Sequence, residues 1–322
     1  SHSAHRRVDQ LVQQGPVTTV RWARTTAQVA AAELGIAGLG LGYGIIEAHR
    51  FTLRRFTVPV LAPGSTPIRV LHISDLHLLA RQHAKLEWVS RLAGLEPDLV
   101  VNTGDNFASD DALEPLLDCL SELLRVPGVF VFGSNDYLKP VFKNPFGYLL
   151  HGRSERTEGD LPTLDFEALR RAFTEAGWLD LNDRSGSLEV AGRRLAFRGT
   201  DDAHHERDHY ERVAGPADPH ADLNVGVTHA PYRRVLDAMT ADGMDLILAG
   251  HTHGGQVCLP FKGALITNCD IDPARVKGLS THRAEGRTAW LHVSAGLGSS
   301  PFAPYRTFCQ PEASLLTLVA RH

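Results

Sequence analysis

The sequence predicts an α/β protein organised around a largely parallel sheet. From Ile68 onward, strand-like runs alternate with helical patterns in β-α-β-α-β order, which implies parallel strands joined by right-handed crossovers. The runs are short and apolar at nearly every position, as strands buried on both faces are. Five of them stop abruptly at clusters of Asp, His and Asn, and the carboxyl ends of strands are where open α/β sheets assemble ligand sites.

Bulk properties set the outer limits. The chain has 322 residues, enough for one large domain or two smaller ones, with 43% hydrophobic and 22% charged residues. Such a composition supports a packed core and argues against global disorder. A formal net charge of −4 gives no sign of a nucleic-acid surface. Seventeen histidines prompt a search for metal sites. Cys119, Cys258, Cys269 and Cys309 show no C-x-x-C spacing and read as isolated thiols, with a Cys258–Cys269 hairpin bridge as the alternative.

Taken in order, residues 1–50 form a polar, arginine-bearing stretch followed by an apolar run. Val29 to Ile46 is eighteen residues with five glycines and one charge, Glu33. That is near the minimum for a span, and Gly38/Gly42 and Gly40/Gly44 have the spacing that lets helices approach closely in a bilayer. The reading is a membrane anchor, with a signal segment or a packed Ala/Gly-rich helix as alternatives. Arginines flank the run on both sides and do not fix its orientation. The unpaired cysteines tilt the expected placement of residues 51–322 toward the cytoplasm, export being the alternative.

Phe51 to Pro67 alternates polar and apolar residues and reads as an edge strand before a Pro/Gly turn. Strand Ile68–Ser74 precedes a helix near Gln82–Gly94 whose inward stripe is Leu86, Val89 and Leu92. Strand Asp98–Asn102, helix Leu113–Arg125 and strand Val129–Phe132 follow. Residues 137–160 show no period yet carry Tyr137, Leu138, Val141, Phe142, Phe146 and Tyr148, an insertion either tucked on the core or offered to an apolar partner. After helix Phe166–Ala176, short strands at Leu181, Leu188–Val190 and Leu195–Arg198 suggest a hairpin-rich second sheet. Asp222–Thr228, Asp245–Ala249, Trp290–Ser294 and Ala313–Val319 complete the strands.

The polar strand ends carry the chemistry. Val70-Leu71-His72-Ile73-Ser74 leads to Asp75-Leu76-His77, whose carboxylate and imidazole would project to one side if the chain stayed extended. The other four ends are Gly104-Asp105-Asn106, Gly133-Ser134-Asn135-Asp136, Thr228-His229-Ala230-Pro231 and Gly250-His251-Thr252-His253-Gly254-Gly255. A lone Gly-Asp is a weak signal, and an isolated His after a strand is commonly a satisfied core residue. Two imidazoles in a glycine-bracketed turn have little structural purpose unless a metal gathers them. Mixed carboxylate and imidazole donors suit Mn, Fe or Zn better than Ca.

These stations, in this order, resemble the calcineurin-like, or purple-acid-phosphatase-like, metallophosphoesterase superfamily. Pro311-Glu312 and its closing strand look like the bacterial membrane-associated phosphodiesterase branch. The resemblance runs from about Ile68 to the C-terminus and implies a four-layer α/β/β/α sandwich of two mixed sheets with a dinuclear site at strand C-termini. It implies one metal on Asp75, His77 and His253, a second on Asn135, His229 and His251, and Asp105 bridging them. Two such ions clamp a phosphoryl group and activate a bridging water for in-line attack.

One station departs from the family pattern of Gly-Asn-His-Asp/Glu. Here Ser134 stands where the Asn ligand belongs, unless a one-residue bulge returns Asn135 to the metal and gives Asp136 the place of the histidine acid; the bulge is the reading preferred. The expected catalytic residues are therefore Asp136, Asn135 and His204, the last as substitute proton donor if the turn Asp201–His205 reaches inward rather than forming a solvated turn. Ser134, Asn106, Tyr137 and Phe142 are the expected substrate contacts. His72 reads as a hydrogen-bonded core residue, and His83 as a residue that could reach the cleft mouth. The expected function is hydrolysis of a phosphodiester, pyrophosphate or phosphomonoester on a lipid-linked or membrane-proximal substrate. The rivals are a non-catalytic metal-binding scaffold and a nuclease, the latter disfavoured by the acidic balance.

Overall fold

The computed structural model describes residues 38–140, 162–265 and 267–321, together with Glu33 and Gly35. The chain divides into two compact units, Ser1–Gly44 and Ile45–His322. In the first, residues 38–44 are helical and Leu39 and Leu41 are exposed. Among the described residues no helix is long and apolar enough to cross a membrane. Part of the Val29–Ile46 run, and nearly all of the 137–160 insertion, lie outside the described residues.

The second unit holds two six-stranded sheets. The first runs in the order β1 (Thr52–Leu61), β14 (Glu312–Ala320), β2 (Ile68–Ile73), β3 (Leu99–Asn102), β4 (Gly128–Phe130), β5 (Leu179–Asp180). Strands β2 to β5 are parallel, while β14 runs antiparallel to β2 and parallel to β1. The second has the order β12 (Gly278–Ala284), β13 (Arg287–Val293), β9 (Leu246–Ala249), β8 (Leu223–Thr228), β7 (Arg193–Gly199), β6 (Ser185–Val190). Its four central strands are parallel, flanked by antiparallel hairpin partners at both edges. A separate hairpin, β10 (Cys258–Leu259) with β11 (Gly263–Ala264), leaves the second histidine turn.

Side-chain alternation along the strands builds four layers. Ile68, Val70, Leu99, Val101 and Val129 meet Leu195, Phe197, Val225, Val227, Leu246 and Leu248 in a core between the sheets. The intervening residues Leu71, Ile73, Val100 and Phe130 pack outward with Val89, Leu116, Leu120, Leu169 and Phe173 of the helices His83–Ser90, Leu113–Leu120 and Phe166–Glu175. On the other side Ile247, Leu291 and Val293 pack with Val235, Leu236 and Met239 of helix Arg233–Ala241. The structure is thus the α/β/β/α sandwich of mixed sheets that the resemblance implied. Helices are shorter than the sequence pattern suggests: two of them continue as 3-10 turns, Arg91–Leu95 and Leu123–Arg125, and the first closes on left-handed Glu96. Strand β12 escaped the sequence reading because its exposed edge residues Thr281 and Arg283 interrupt any apolar run.

His72 and His292 are the polar exceptions in the inter-sheet core. They sit Nδ1 to Nδ1 at 2.9 Å, and His72 Nε2 bonds Thr103 Oγ1 at 2.9 Å. Burial pushes His292 down to about 3, and burial beside His292 holds His72 well below the ordinary histidine range. A group whose folded pKa is depressed stabilises above its unfolded value and loses that contribution as pH falls through the folded one. Wild-type stability is therefore expected to decline from about pH 6.5 toward pH 3 more steeply than that of His292→Leu; parallel urea-midpoint curves for the two proteins would contradict this.

Candidate metal centre

The five polar stations sit at the carboxyl ends of β2, β3, β4, β8 and β9, on the edge where the two sheets face each other. Backbone bonds clip the turns together: Asp75 N–H donates to Gly104 O at 2.8 Å, His77 N–H to Asp105 O at 2.9 Å, and Gly250 N–H to His229 O at 2.8 Å. Asp75, His77, Asp105, His251 and His253 all adopt positive φ, from 42° to 69°. The chain therefore does not stay extended through Asp75-Leu76-His77. The side chains converge because these five residues occupy sharp left-handed turns, a conformation that non-glycine residues adopt under constraint and often at functional sites.

Two sets of donor atoms come together. Asp75, His77 and His253 form one, and Asp75, Asp105 and His229 the other. Asp105 Oδ2 lies 3.4 Å from His77 Nε2 and 3.5 Å from His229 Nε2, and so stands between the two sets. His77 and His253 face each other Nε2 to Nε2 at 3.2 Å. Two ring nitrogens at that separation require a proton or a cation between them. His229 Nδ1 donates to Thr103 O at 2.6 Å, which turns its Nε2 toward Asp105, and His253 Nδ1 lies 2.9 Å from Gly298 O and 3.2 Å from Arg306 Nη2, which turns its Nε2 toward His77. Asp75 Oδ1, His77 Nδ1 and His229 Nε2 are buried without a hydrogen-bond partner. Orphaned carboxylate and imidazole atoms aimed at one another are what a metal-binding set looks like without its ions.

The electrostatics agree. Burial drives His77 down to about 4, against the pull of Asp105, and holds His251 and His253 well below the ordinary range, so all three are neutral donors near pH 7. Burial opposes the Asp105 charge, but His229, His77 and two N–H groups of Asn135 hold its carboxyl below the usual carboxylate range. For His229 burial is outweighed by Asp105, Asp75 and Asp202, which raise it to about 9. Metal loading there must displace a proton.

Asn135 is half-buried and bonds Asp105 through both its backbone N–H and its side-chain amide, each at 2.8 Å. The structure thus brings Asn135 to the site, while Ser134 is buried as the first residue of helix Ser134–Tyr137. Gly133 is needed at the preceding position, because a Cβ there would overlap Asp105 Oδ1 and the His229 ring. His251 donates its backbone N–H to Asp75 Oδ2 at 3.0 Å, and its ring lies 5.1 Å from that of His229, but its Nε2 lies 3.4 Å from Asn268 O; it joins neither of the two donor sets.

Three expected site residues are corrected. Asp136 is fully buried and takes four N–H donors: Asp105 N and Gly133 N on Oδ2, Asn106 N and Nδ2 on Oδ1. Burial, then Asp105, pushes its carboxyl up to about 7, but it is a clamp on the metal-binding turns and has no oxygen free to deliver a proton. Asn106 is equally buried, its amide spent on Asp136 and Asn102. Tyr137 is 3% exposed, its hydroxyl donating to Asp201 Oδ1 at 2.7 Å and its ring packed on Phe132 and Phe166. Phe142 lies outside the described residues. His83 is exposed at the start of its helix.

The turn Asp201–His205 does reach inward. Asp202 is buried with Oδ1 accepting His204 N–H, and the His204 ring lies 4.4 Å from His251 with Nδ1 2.9 Å from Tyr232 Oη. Sequence reasoning missed the supports. Asp75 Oδ2 accepts from Ser74 Oγ at 2.5 Å, Ser74 accepts from Thr103 Oγ1 at 2.6 Å, and Thr103 leads back to His72. Lys85, buried, donates to Leu76 O at 2.8 Å, and Arg306, buried, donates to Gly298 O. No spacing signal marks these residues, because only the fold brings Thr103 to Ser74 and aims Lys85 and Arg306 at backbone carbonyls.

Comparison with known proteins follows the same lines. The calcineurin-like phosphoesterase family model matches residues 68–255, and the chain belongs to that family. The family binds divalent metals, and its members are phosphoester hydrolases. The chain is 28% identical over 300 residues to the uncharacterised protein YpbG of Bacillus subtilis, covering 92% of this chain and 96% of that one. It is 26% identical over 313 residues to the phosphodiesterase YaeI of Escherichia coli, covering 92% and 98%. Among solved structures, TT1561 of Thermus thermophilus matches with 13% identity and a TM-score of 0.38, over 72% of this chain and 91% of that chain.

Outer partners that orient a ligand typically account for about 10–100-fold in metal affinity. Ser74→Ala should lower metal affinity by that order with the fold intact. Equal affinities in a chelator-competition titration would show that Ser74 does not position Asp75.

Proposed function

We propose that the protein hydrolyses phosphodiesters with two metal ions, Mn, Fe or Zn, held on the two donor sets that share Asp75, with Asp105 between His77 of one and His229 of the other. The observation that carries this reading is the placement of Asp105 Oδ2 between His77 and His229, with Asp75 Oδ1 and His229 Nε2 orphaned beside it. When bound, the ions supply Lewis acidity and an activated hydroxide for in-line displacement. Asp75, His77, His253, Asp105 and His229 hold them, and the Asn135 amide, already on Asp105, lies ready as a further ligand. His251 completes the second set only by turning its ring away from Asn268 O.

The leaning toward diesters rests on the proton. No histidine follows Asn135, and Asp136 is consumed by backbone donors, so the leaving oxygen lacks the acid that a poor leaving group needs. His204, its ring tilted against that of His251 at 4.4 Å, is the imidazole that can serve, through water or with the turn adjusted. The printed name of the Escherichia coli relative, a phosphodiesterase, supports the same leaning.

The membrane-proximal part of the proposal has separate support. Leu39, Leu41, Ile45 and Ile46 are exposed on a helical stretch, and Leu259, Phe261 and Leu265 are exposed on the hairpin that leaves the second histidine turn. A lipid-linked substrate fits these features, and the free cysteines support a catalytic unit on the cytoplasmic face.

Asp105→Asn should lose more activity on a bis-aryl phosphate than the ~10–100-fold typical of an outer partner, and should bind less metal. Wild-type kcat/KM and metal stoichiometry in this variant would end the two-metal reading. Removing Ser1–Gly44 should leave a folded protein that no longer sediments with lipid vesicles; continued sedimentation would refute anchoring by that segment.

A further inference from the structure

Two thiols lie directly behind the second histidine turn, and nothing in the hydrolytic reading employs them. Cys258 opens hairpin β10–β11, and Cys309 lies three residues before β14. Both are buried, at 4% and 1% exposure. Both sulfurs converge on one carbonyl, Gly254 O. Cys258 Sγ donates to Gly254 O at 3.3 Å, and Cys309 Sγ lies 3.2 Å from His253 O and 3.5 Å from Gly254 O. The backbones are tied as well: Cys258 N–H donates to Thr307 O at 2.9 Å, and Val257 bridges Thr307 in parallel fashion. Lys277 Nζ stands 3.6 Å from Cys309 Sγ. All four cysteines are free, and it is Cys309, not Cys269, that shares the Gly254 carbonyl with Cys258.

We propose that Cys258 and Cys309 are a redox couple that closes to a disulfide with hydrogen peroxide and thereby loosens the metal-binding turn. The stoichiometry is two thiols and one peroxide giving one disulfide and two waters. The O–O bond breaks, the S–S bond forms, and both S–H protons leave on the water oxygens. Peroxide is the oxidant that suits the site, because thiols this buried admit a small molecule and hinder a bulky disulfide. Two neighbouring thiols are also what converts a first sulfenic acid to a disulfide before further oxidation.

The consequence follows from the hydrogen bonds. The thiols sit on the carbonyls of His253 and Gly254, and a disulfide has no S–H to give. Gly254 O loses both of its thiol contacts, and His253 O, on the residue whose Nε2 faces His77, loses one while keeping the Gln256 N–H at 3.0 Å. Left-handed Gly254 has no slack to absorb the change, since a Cβ there would already lie 2.7 Å from Cys309 Sγ. This second step rests on the metal-binding reading; the first does not.

The test is peroxide titration of the full chain, followed by intact mass, peptide mapping without reduction and metal analysis. The expected result is loss of two hydrogens, a crosslinked peptide pair containing Cys258 and Cys309, and bound metal that falls on oxidation and returns with a reductant. Cys258→Ser and Cys309→Ser should each abolish the crosslink. A mapped product with any other pairing, or two unlinked over-oxidised cysteines, overturns the couple. A Cys258–Cys309 crosslink with unchanged metal overturns the loosening. A reduced protein that binds no metal at all would instead defeat the hydrolytic reading while the crosslink still decides the couple.

Discussion

The arrangement depends on one buried charge, the carboxylate of Asp105. An ionised carboxylate removed from water is costly by several kcal/mol unless its partners are close and well directed. Here they come from three strand ends: His77 from β2, Asn135 from β4 and His229 from β8. The two sheets therefore cannot slide relative to each other without stranding that charge. The same requirement explains Gly133, whose bare backbone is what lets Asn135 and His229 approach Asp105 together.

Holding the donors in place has a conformational cost. Five ligand residues occupy left-handed turns, at roughly 1–2 kcal/mol each for an L-residue. Each fully buried Val or Leu contributes about 1.5–3 kcal/mol, and the inter-sheet core alone holds more than enough to offset five strained residues.

Much of this was legible in the sequence. Apolar runs located the strands, and polar clusters at their ends named Asp75, His77, Asp105, His229, His251 and His253 as candidates. What the sequence could not reveal was direction. Asp75-Leu76-His77 looks like an extended strand end, yet its side chains converge through turns that only neighbouring strands enforce. Asp136 and Asn135 are adjacent in sequence and opposite in role, because four N–H groups from three other residues capture the first and Asp105 captures the second. The support through Ser74 and Thr103 joins residues on different strands, and no local pattern encodes such a pairing. Polar β12 was missed because edge strands need no apolar run.

Strand β14 lies between β1 and β2, although it follows both by the length of the whole domain. Until Glu312–Ala320 arrives, the first sheet has an open slot with unpaired backbone groups on both sides, and such edges attract foreign strands. Contacts of such long sequence separation also form late and slowly. A growing chain can assemble β2 to β5 and yet hold Asp75 and Asp105 on a sheet whose β2 still lacks its second neighbour. The centre thus becomes rigid only with the final strand, and its vulnerability is greatest during synthesis rather than in the finished molecule.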